Sequence, residues 1–515
     1  MKKLLCLFIC AALLLGLAAG CGNNGGASSA PPASSAATED ASSGGEEAPA
    51  PEERITLRIL GFTTTVGDFP EGQDENHNFI VDFLTANMPY DFEFTFVDGG
   101  DQRNAMIAAG SEFDLLKLSS SAELLKLVQQ DYLTPVDEFL TDKPELMNPA
   151  QISKALWNIA RVDGITYGVP QEWSDPYVGF AMRVDWIKDM GLQTPKTLDE
   201  LTNVLRAFRD DDPNGDGANV IPFTACWGMG TALEFFRAIY GIHLEYMPID
   251  DQITFVYATD KGKDMINYMA GWYAEGLMDP EIAVANEETA SQRLFTGQLG
   301  SMYVPWWTMK AWDTVLLEDM GFEDSPFWWV APPSGPDGKT TLLKEYGPIE
   351  HIMTYPKNGN AKAGVDFSER LITPEIADFV QFGIEGTHWN WDDSSKTSRH
   401  LTEEYDNITW RWYYGDNLGY RLDLMREHIN LEYGKWREPV QQWGGGVATS
   451  ALLIPAVQGI DEIVSNVGDY FWNEIGKFVM GERPMSEYDN FIAELKNLGL
   501  DEVVDKTQAV YDEYK

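Results

Sequence analysis

The chain carries 17 tryptophans, several of them in pairs and close to carboxylates and amides. Trp306 and Trp307 follow Pro305 at the end of a strand-like run, Leu299 to Val304. Trp389 and Trp391 follow Glu385 and His388 in a stretch that reads as a loop. Trp173 follows Gln171 and Glu172 just past a short strand at Gly168 to Pro170, and Trp227 follows Ile221 to Thr224. An indole offers a flat, electron-rich face to the apolar C–H face of a sugar ring, while carboxylates and amides serve the hydroxyls. Glu172, Trp173, Trp227, Trp306, Trp307, Glu385, Trp389 and Trp391 are therefore the candidate ligand-binding residues. The apolar side chains of a peptide, or another small metabolite, would suit the same rings. Trp306 and Trp307 are adjacent, so an extended backbone would point them to opposite faces, with Trp306 expected toward the ligand. Tryptophans are more often packing residues than ligands. Trp157, Trp186, Trp272 and Trp472 lie on apolar faces of helical patterns and are expected in the core.

One motif resembles a metal loop. In Asp212-Pro-Asn-Gly-Asp-Gly217, oxygen donors alternate at Asp212, Asn214 and Asp216, Gly217 stands at the turn, and Ala218 continues the series. This is the start of an EF-hand-like calcium loop. The ninth and twelfth positions are Val220 and Phe223, so the closing carboxylate is missing, and a polar Asx turn is the competing reading. No other cofactor is called for. Six histidines are scattered, with no H-E-x-x-H or G-x-S-x-G element. Carboxylates are so abundant that any two could be nominated as a glycosidase pair. No catalytic residue is assigned, and a secreted glycan-degrading enzyme stands only as an alternative.

These residues need a scaffold, and the hydropathy pattern supplies one. Strand-like Ile55 to Leu60, helical Asn78 to Ala86, strand-like Asp91 to Val97, helical Asp101 to Ala109 and strand-like Glu112 to Leu118 alternate. That order predicts a parallel sheet covered by helices. Further helices are expected at Leu198 to Arg209, Ala232 to Tyr240, Lys261 to Glu275 and Glu487 to Leu498, and a strand near Trp328 to Ala331. The class is α/β, and ligands in open α/β folds sit beyond the carboxyl ends of the strands.

The N-terminus reads as an export signal. Lys2 and Lys3 precede a 14-residue apolar run, Leu4 to Leu17, and small residues lead into Cys21. A membrane span would need roughly 20 apolar residues. Gly20-Cys21 resembles the lipobox of bacterial lipoproteins, in which the cysteine is acylated, although Ala18 stands where leucine is usual. Residues 22–54 are rich in Gly, Ser, Ala, Pro and Glu and read as a flexible tether. Once Cys6 and Cys10 leave with the signal and Cys21 carries lipid, Cys226 stands alone, so no intramolecular disulfide can form. Loss of Lys2 and Lys3 takes the net charge from −44 to −46, which argues against nucleic acid and against a polyanionic ligand steered from a distance.

Several stretches resemble family 1 extracellular solute-binding proteins of ABC importers. Asp163-Gly-Ile-Thr-Tyr-Gly-Val-Pro170 is similar to that family's "DGKxYGxP" turn and strand. Arg183-Val-Asp-Trp-Ile-Lys-Asp-Met-Gly-Leu192, with Pro195, Thr197, Leu198 and Glu200, is similar to "RxDWLxxLGLxxPxTLDE". Tyr273 to Glu281, Phe295 to Met302, Phe382 to Trp389 and Gly481 to Pro484 continue the likeness in order. The resemblance implies a two-lobed, periplasmic-binding-protein-like (type II) clamp, each lobe a sheet flanked by helices. On that reading residues 1–20 are the signal and 21–54 the lipid-anchored linker. Lobe 1 is 55–168 with about 331–386, and lobe 2 is 169–330 with 387–515. Related maltodextrin-binding proteins place a sugar-stacking aromatic near the segment matching Trp306. The implied role is a monomeric lipoprotein on the outer face of the cytoplasmic membrane. It would close on an oligosaccharide or related polyhydroxylated solute and hand it to ABC permease subunits.

Overall fold

The computed structural model describes residues 54–63, 68–171, 176, 178–215, 219–343, 351–443, 446–448 and 452–515. Cys21, the signal and the tether up to residue 53 lie outside the described residues, as do Glu172, Trp173, Asp216 and Ala218. The folded unit runs from Arg54 to Lys515. Among the described residues no helix is long and apolar enough to cross a membrane.

Alternation in Ile55–Phe62 buries Leu57, Ile59 and Leu60, and the strand pairs in parallel with Tyr90–Val97 and with Leu115–Leu118. The intervening helix Phe79–Asn87 starts where the Asn78 side chain accepts from the Ile80 and Val81 amides, supplying partners the first turn lacks. The first sheet runs Tyr90–Val97, Ile55–Phe62, Leu115–Leu118, Ile352–Thr354, Gly168–Pro170. The parallel expectation holds for its first three strands. Ile352–Thr354 is antiparallel to both neighbours, because the chain re-enters from the second half of the molecule rather than through a βα crossover.

A second sheet runs Phe327–Val330, Val178–Arg183, Ser301–Pro305, Thr224–Ala225, the last two parallel to each other. Helices Leu198–Asp210, Gly228–Ile239, Asp260–Ala274 and Tyr488–Asn497 fall where periodicity places them. Two hydrophobic cores result, one around each sheet. Tyr405, Ile408, Trp410, Tyr414 and Leu418 pack in the first core, although the sequence reading puts everything after 387 in lobe 2. The aromatic run Trp410-Arg-Trp-Tyr-Tyr414 is bulky on all sides, so helical period alone does not say which core takes it.

The two cores are joined by a 22-residue helix, Leu422–Trp443, which the sequence reading does not single out. Its start is tied to the first core: Arg421 donates to Glu145 (2.8 Å) and to the Ile372 carbonyl (3.0 Å), and the Leu422 amide donates to Gln151 Oε1 (2.7 Å). Its stripe Met425, Ile429, Tyr433 and Trp436 is buried in the second core. A further long helix, Asp461–Met480, packs Val467, Phe471, Ile475 and Phe478 inward. Trp157, Trp186 and Trp272 are buried as expected, but Trp472 is not: it is 48% exposed. It follows Phe471 directly, about 100° around the helix from the inward stripe.

Candidate functional site

The parallel strands Thr224–Ala225 and Ser301–Pro305 end side by side, and each is followed by a tryptophan at a helix start. Trp227 immediately precedes the helix Gly228–Ile239, and Gly228 has φ +69 with backbone carbonyls of Ile282 and Ala285 close by, a place only glycine fills without strain. Pro305 immediately precedes the helix Trp306–Thr314. The backbone after Pro305 is therefore helical rather than extended, so Trp306 and Trp307 diverge by about 100°, not 180°. Trp306 is the buried member (4% exposed), with its ring centroid 4.2 Å from that of Tyr433 on the junction helix. Trp307 is half-buried, edge-on to Trp306 at 5.0 Å and inclined by 33° to Trp227 at 6.1 Å. Trp227 is 40% exposed. The expectation that Trp306 is the outward member thus reverses, and the outward surface is made by Trp227 and Trp307.

Polar groups flank it. Thr308 Oγ1 donates to Glu287 Oε1 (2.8 Å), which places a carboxylate at the foot of the tryptophan helix. Lys310, three positions beyond Trp307 and on the same side of the helix, donates to Asp406 in the first core's segment (2.7 Å) and to Glu432 (3.0 Å). Lys435 reaches Asp313 on the same helix (2.6 Å).

Beneath lies a buried polar hub. Gln381 Nε2 lies 2.8 Å from His428 Nδ1, and His428 Nε2 lies between Glu432 Oε2 (2.6 Å) and Arg411 Nη2 (3.0 Å). Arg411 donates to the Gln381 carbonyl (3.2 Å) and to Tyr405, and its guanidinium approaches Glu432 (3.8 Å). Burial holds the His428 imidazole below its ordinary range, outweighing Glu432. Burial pushes the Glu432 carboxyl up, but the His428 hydrogen bond and the Arg411 and Lys310 charges outweigh it and leave it well below the usual range.

The first core presents its own rings at the carboxyl ends of its parallel strands. Phe69 stacks on Tyr413 at 5.4 Å and 28°, and Phe96 lies 5.1 Å from Tyr413. Asn417 fixes this edge: its amide receives the Phe62 N–H (2.6 Å) and returns a hydrogen bond to the Phe62 carbonyl (2.8 Å). Any side chain at Gly61 would collide with Asn417. Sequence reasoning missed Phe69 and Tyr413, whose partnership joins distant parts of the chain.

Glu385, Trp389 and Trp391 form a separate group. Trp389–Trp391 is a strand paired with Arg399–Leu401, not a loop. The Arg399 guanidinium lies over Phe382, Trp389 and Trp391 at 4.1, 4.3 and 4.8 Å and pairs with Asp378 (2.8 Å) and Glu427 (2.9 Å). Trp389 is only 3% exposed. Glu385 is exposed, 3.7 Å from Lys396. In the Asp212 loop, Asn214 Nδ2 donates to the Gly297 carbonyl (3.0 Å), while its buried Oδ1 has no hydrogen-bond partner among the described residues. Phe223 is fully buried in the second core, so the twelfth position turns away from any ion. Burial pushes the Cys226 thiol up, which leaves it a packing group.

Comparison with known proteins places this geometry. Residues 89–382 match the model of the bacterial extracellular solute-binding protein family. The chain is 25% identical over 324 residues to the polygalacturonan/rhamnogalacturonan-binding protein YtcQ of Bacillus subtilis, covering 59% of this chain and 62% of that one. It is 23% identical over 524 residues to the fructooligosaccharide ABC transporter substrate-binding protein FusA of Streptococcus pneumoniae, covering 90% and 91%. The solved structure of FusA with kestose superposes with TM-score 0.65, at 19% identity over 89% of this chain and 99% of that one. The alginate-binding protein AlgQ2 without calcium ion superposes with TM-score 0.67, at 18% identity over 90% and 98%. The fold is the two-lobed α/β architecture of these binding proteins.

Proposed function

Because the chain belongs to the bacterial extracellular solute-binding protein family, we propose that it captures a neutral oligosaccharide outside the cell and delivers it to an ABC permease. The observation that carries the reading is the Trp227–Trp307 surface with Glu287 beside it. Inclined indoles can each take a sugar C–H face, and a carboxylate oxygen accepts from hydroxyls. Lobe closure would follow from contacts made to both sides at once, with Phe69 and Tyr413 as the first-core counterpart.

The local charges support neutrality. Lys310 on the tryptophan helix and Lys435, which reaches it, are already bonded to carboxylates, and Glu287 adds negative charge. A uronate chain would meet repulsion from Glu287 there. YtcQ and AlgQ2 are named for binding acidic polysaccharides and FusA for a neutral one, so relatives alone leave the choice open. Calorimetric titration of the full chain with neutral and uronic oligosaccharides tests it. Saturable binding of a neutral series supports the reading, and preference for uronates refutes neutrality.

The anchor and the metal belong to the same proposal. Acylation at Cys21 would hold the receptor at the membrane through the 22–54 tether. Asp212, Asn214, Asp216 and the Ala218 carbonyl would hold a structural calcium ion, with the unpartnered Asn214 Oδ1 as support.

A further inference from the structure

Lys310 is held between two carboxylates that belong to different parts of the molecule. It stands on the helix Trp306–Thr314, whose Trp306, Met309 and Trp312 are buried in the second core. Its ammonium donates to Glu432 on the junction helix (3.0 Å) and to Asp406 (2.7 Å). Asp406 lies in the segment Glu403–Arg411, whose Tyr405, Ile408 and Trp410 pack in the first core. The Lys310–Asp406 pair therefore runs directly from the tryptophan helix to the first core.

The two bonds differ in kind. Glu432 is a fixed anion: its side chain is 6% exposed, with His428 Nε2 (2.6 Å) on one oxygen and the Tyr433 hydroxyl (2.9 Å) on the other. Tyr433 against Trp306, and Lys435 on Asp313, fasten this stretch of the junction helix to the tryptophan helix, so Glu432 moves with Lys310. The Asp406 side chain, by contrast, is 61% exposed. Burial pulls the Lys310 ammonium down, but Glu432 and Asp406 outweigh it and hold it above the usual lysine range. Pulling a cation off a buried carboxylate strands a charge, whereas an exposed ion pair is worth only a factor of a few in population. At the other end of the same segment Arg411 is buried between Gln381, Tyr405 and His428, which makes that end the pivot and Asp406 the rim.

We propose that Lys310 is a positioning residue for ligand capture: its rim pair with Asp406 is a latch that holds the helix carrying Trp307 at a fixed place relative to the first core. When the cores part, Asp406 lets go and Lys310 stays on Glu432. The proposal rests on the receptor reading above and adds the residue pair that holds the lobes. A protein that binds in one arrangement loses apparent affinity in proportion to the fraction of molecules in that arrangement. A weak pair is thus enough to set affinity, and weak enough to open without unfolding either core.

The test titrates the full chain and its Asp406→Asn, Asp406→Glu and Asp406→Lys variants with fructo-, xylo- and manno-oligosaccharide ladders, from disaccharide to hexasaccharide. Small-angle scattering of each chain without saccharide accompanies the titrations. For whichever ladder binds, Asp406→Asn is expected to weaken affinity about threefold through faster release, with an unchanged melting temperature. Asp406→Glu, which still reaches Lys310, is expected to restore wild-type affinity. Asp406→Lys is expected to weaken it about tenfold and to enlarge the radius of gyration of the unliganded chain. The gap between wild type and Asp406→Asn should shrink as salt rises to about 1 M, where the Debye length falls to about 3 Å. A neutral ligand brings no charge to screen, and a merely structural Asp406 would show no such convergence. Equal affinity and release for wild type, Asp406→Asn and Asp406→Lys, with unchanged scattering, overturns the latch and leaves the carbohydrate reading intact. If wild type binds no ladder member, the carbohydrate reading falls and scattering decides the latch: an enlarged radius for Asp406→Lys upholds it, and an unchanged one overturns it.

Discussion

Trp227 and Trp307 lie with ring centroids 6.1 Å apart and planes inclined by 33°, each at the point where a parallel strand of the second sheet gives way to a helix. Their partner Trp306 turns the other way, onto Tyr433 of the junction helix. Substitution should separate the three. Trp306→Ala should lower unfolding free energy by about 3–5 kcal/mol, the usual result of emptying a buried aromatic site. Trp227→Ala should abolish saccharide binding with little loss of stability, and Trp307→Ala should do so with an intermediate loss. Denaturant titration and calorimetry on the same preparations distinguish these outcomes.

The hub under the tryptophan helix predicts a pH dependence. Burial holds His428 below its ordinary pKa, so above about pH 6.5 it is neutral in both folded and unfolded states and its contribution is complete. As pH falls below that, the unfolded chain takes a proton the folded chain refuses, and stability is lost. Glu432, held low, keeps its contribution until far more acid conditions. The melting temperature should therefore drop between pH 7.5 and 5.5, and His428→Gln should shrink the drop. His351, His243 and His388, also held low by desolvation, leave a remainder. An identical drop in the variant would remove His428 from the explanation.

Membrane attachment is tested at Cys21. Cys21→Ala should release the protein into the medium or leave the precursor uncleaved. Full membrane retention of a correctly cleaved variant would refute the lipid anchor.

Calcium is tested at the Asp212 loop. Chelator should lower the melting temperature of the full chain, and Asp216→Ala should abolish that response. A melting curve indifferent to both chelator and added calcium leaves a polar turn.

Much of the scaffold is legible in the sequence because period is a local property. The alternation in Ile55–Phe62 and the amphipathic spacing of Leu198–Asp210 need no partner to be read. Direction is harder: Ile352–Thr354 joins the first sheet antiparallel because of where the chain has been, which its own residues do not encode. At the site the tryptophans are visible, but their facing depends on one backbone fact. Pro305 precedes a helix instead of continuing a strand, and that exchanges the roles of Trp306 and Trp307. Trp389 fails as an outward ring for a different reason, since Arg399 reaches it only after the hairpin forms. Trp472 misleads because it adjoins Phe471, whose burial makes the whole turn look apolar and inward.

The most direct test of a saccharide receptor is ligand-dependent stability together with product analysis. The full chain should bind a neutral oligosaccharide reversibly and stoichiometrically. At 100 times its dissociation constant the ligand should raise unfolding free energy by about 2.7 kcal/mol, and it should be recovered intact. No stabilisation by any member of the neutral ladders, or cleavage of the saccharide during the measurement, would contradict a receptor for these sugars.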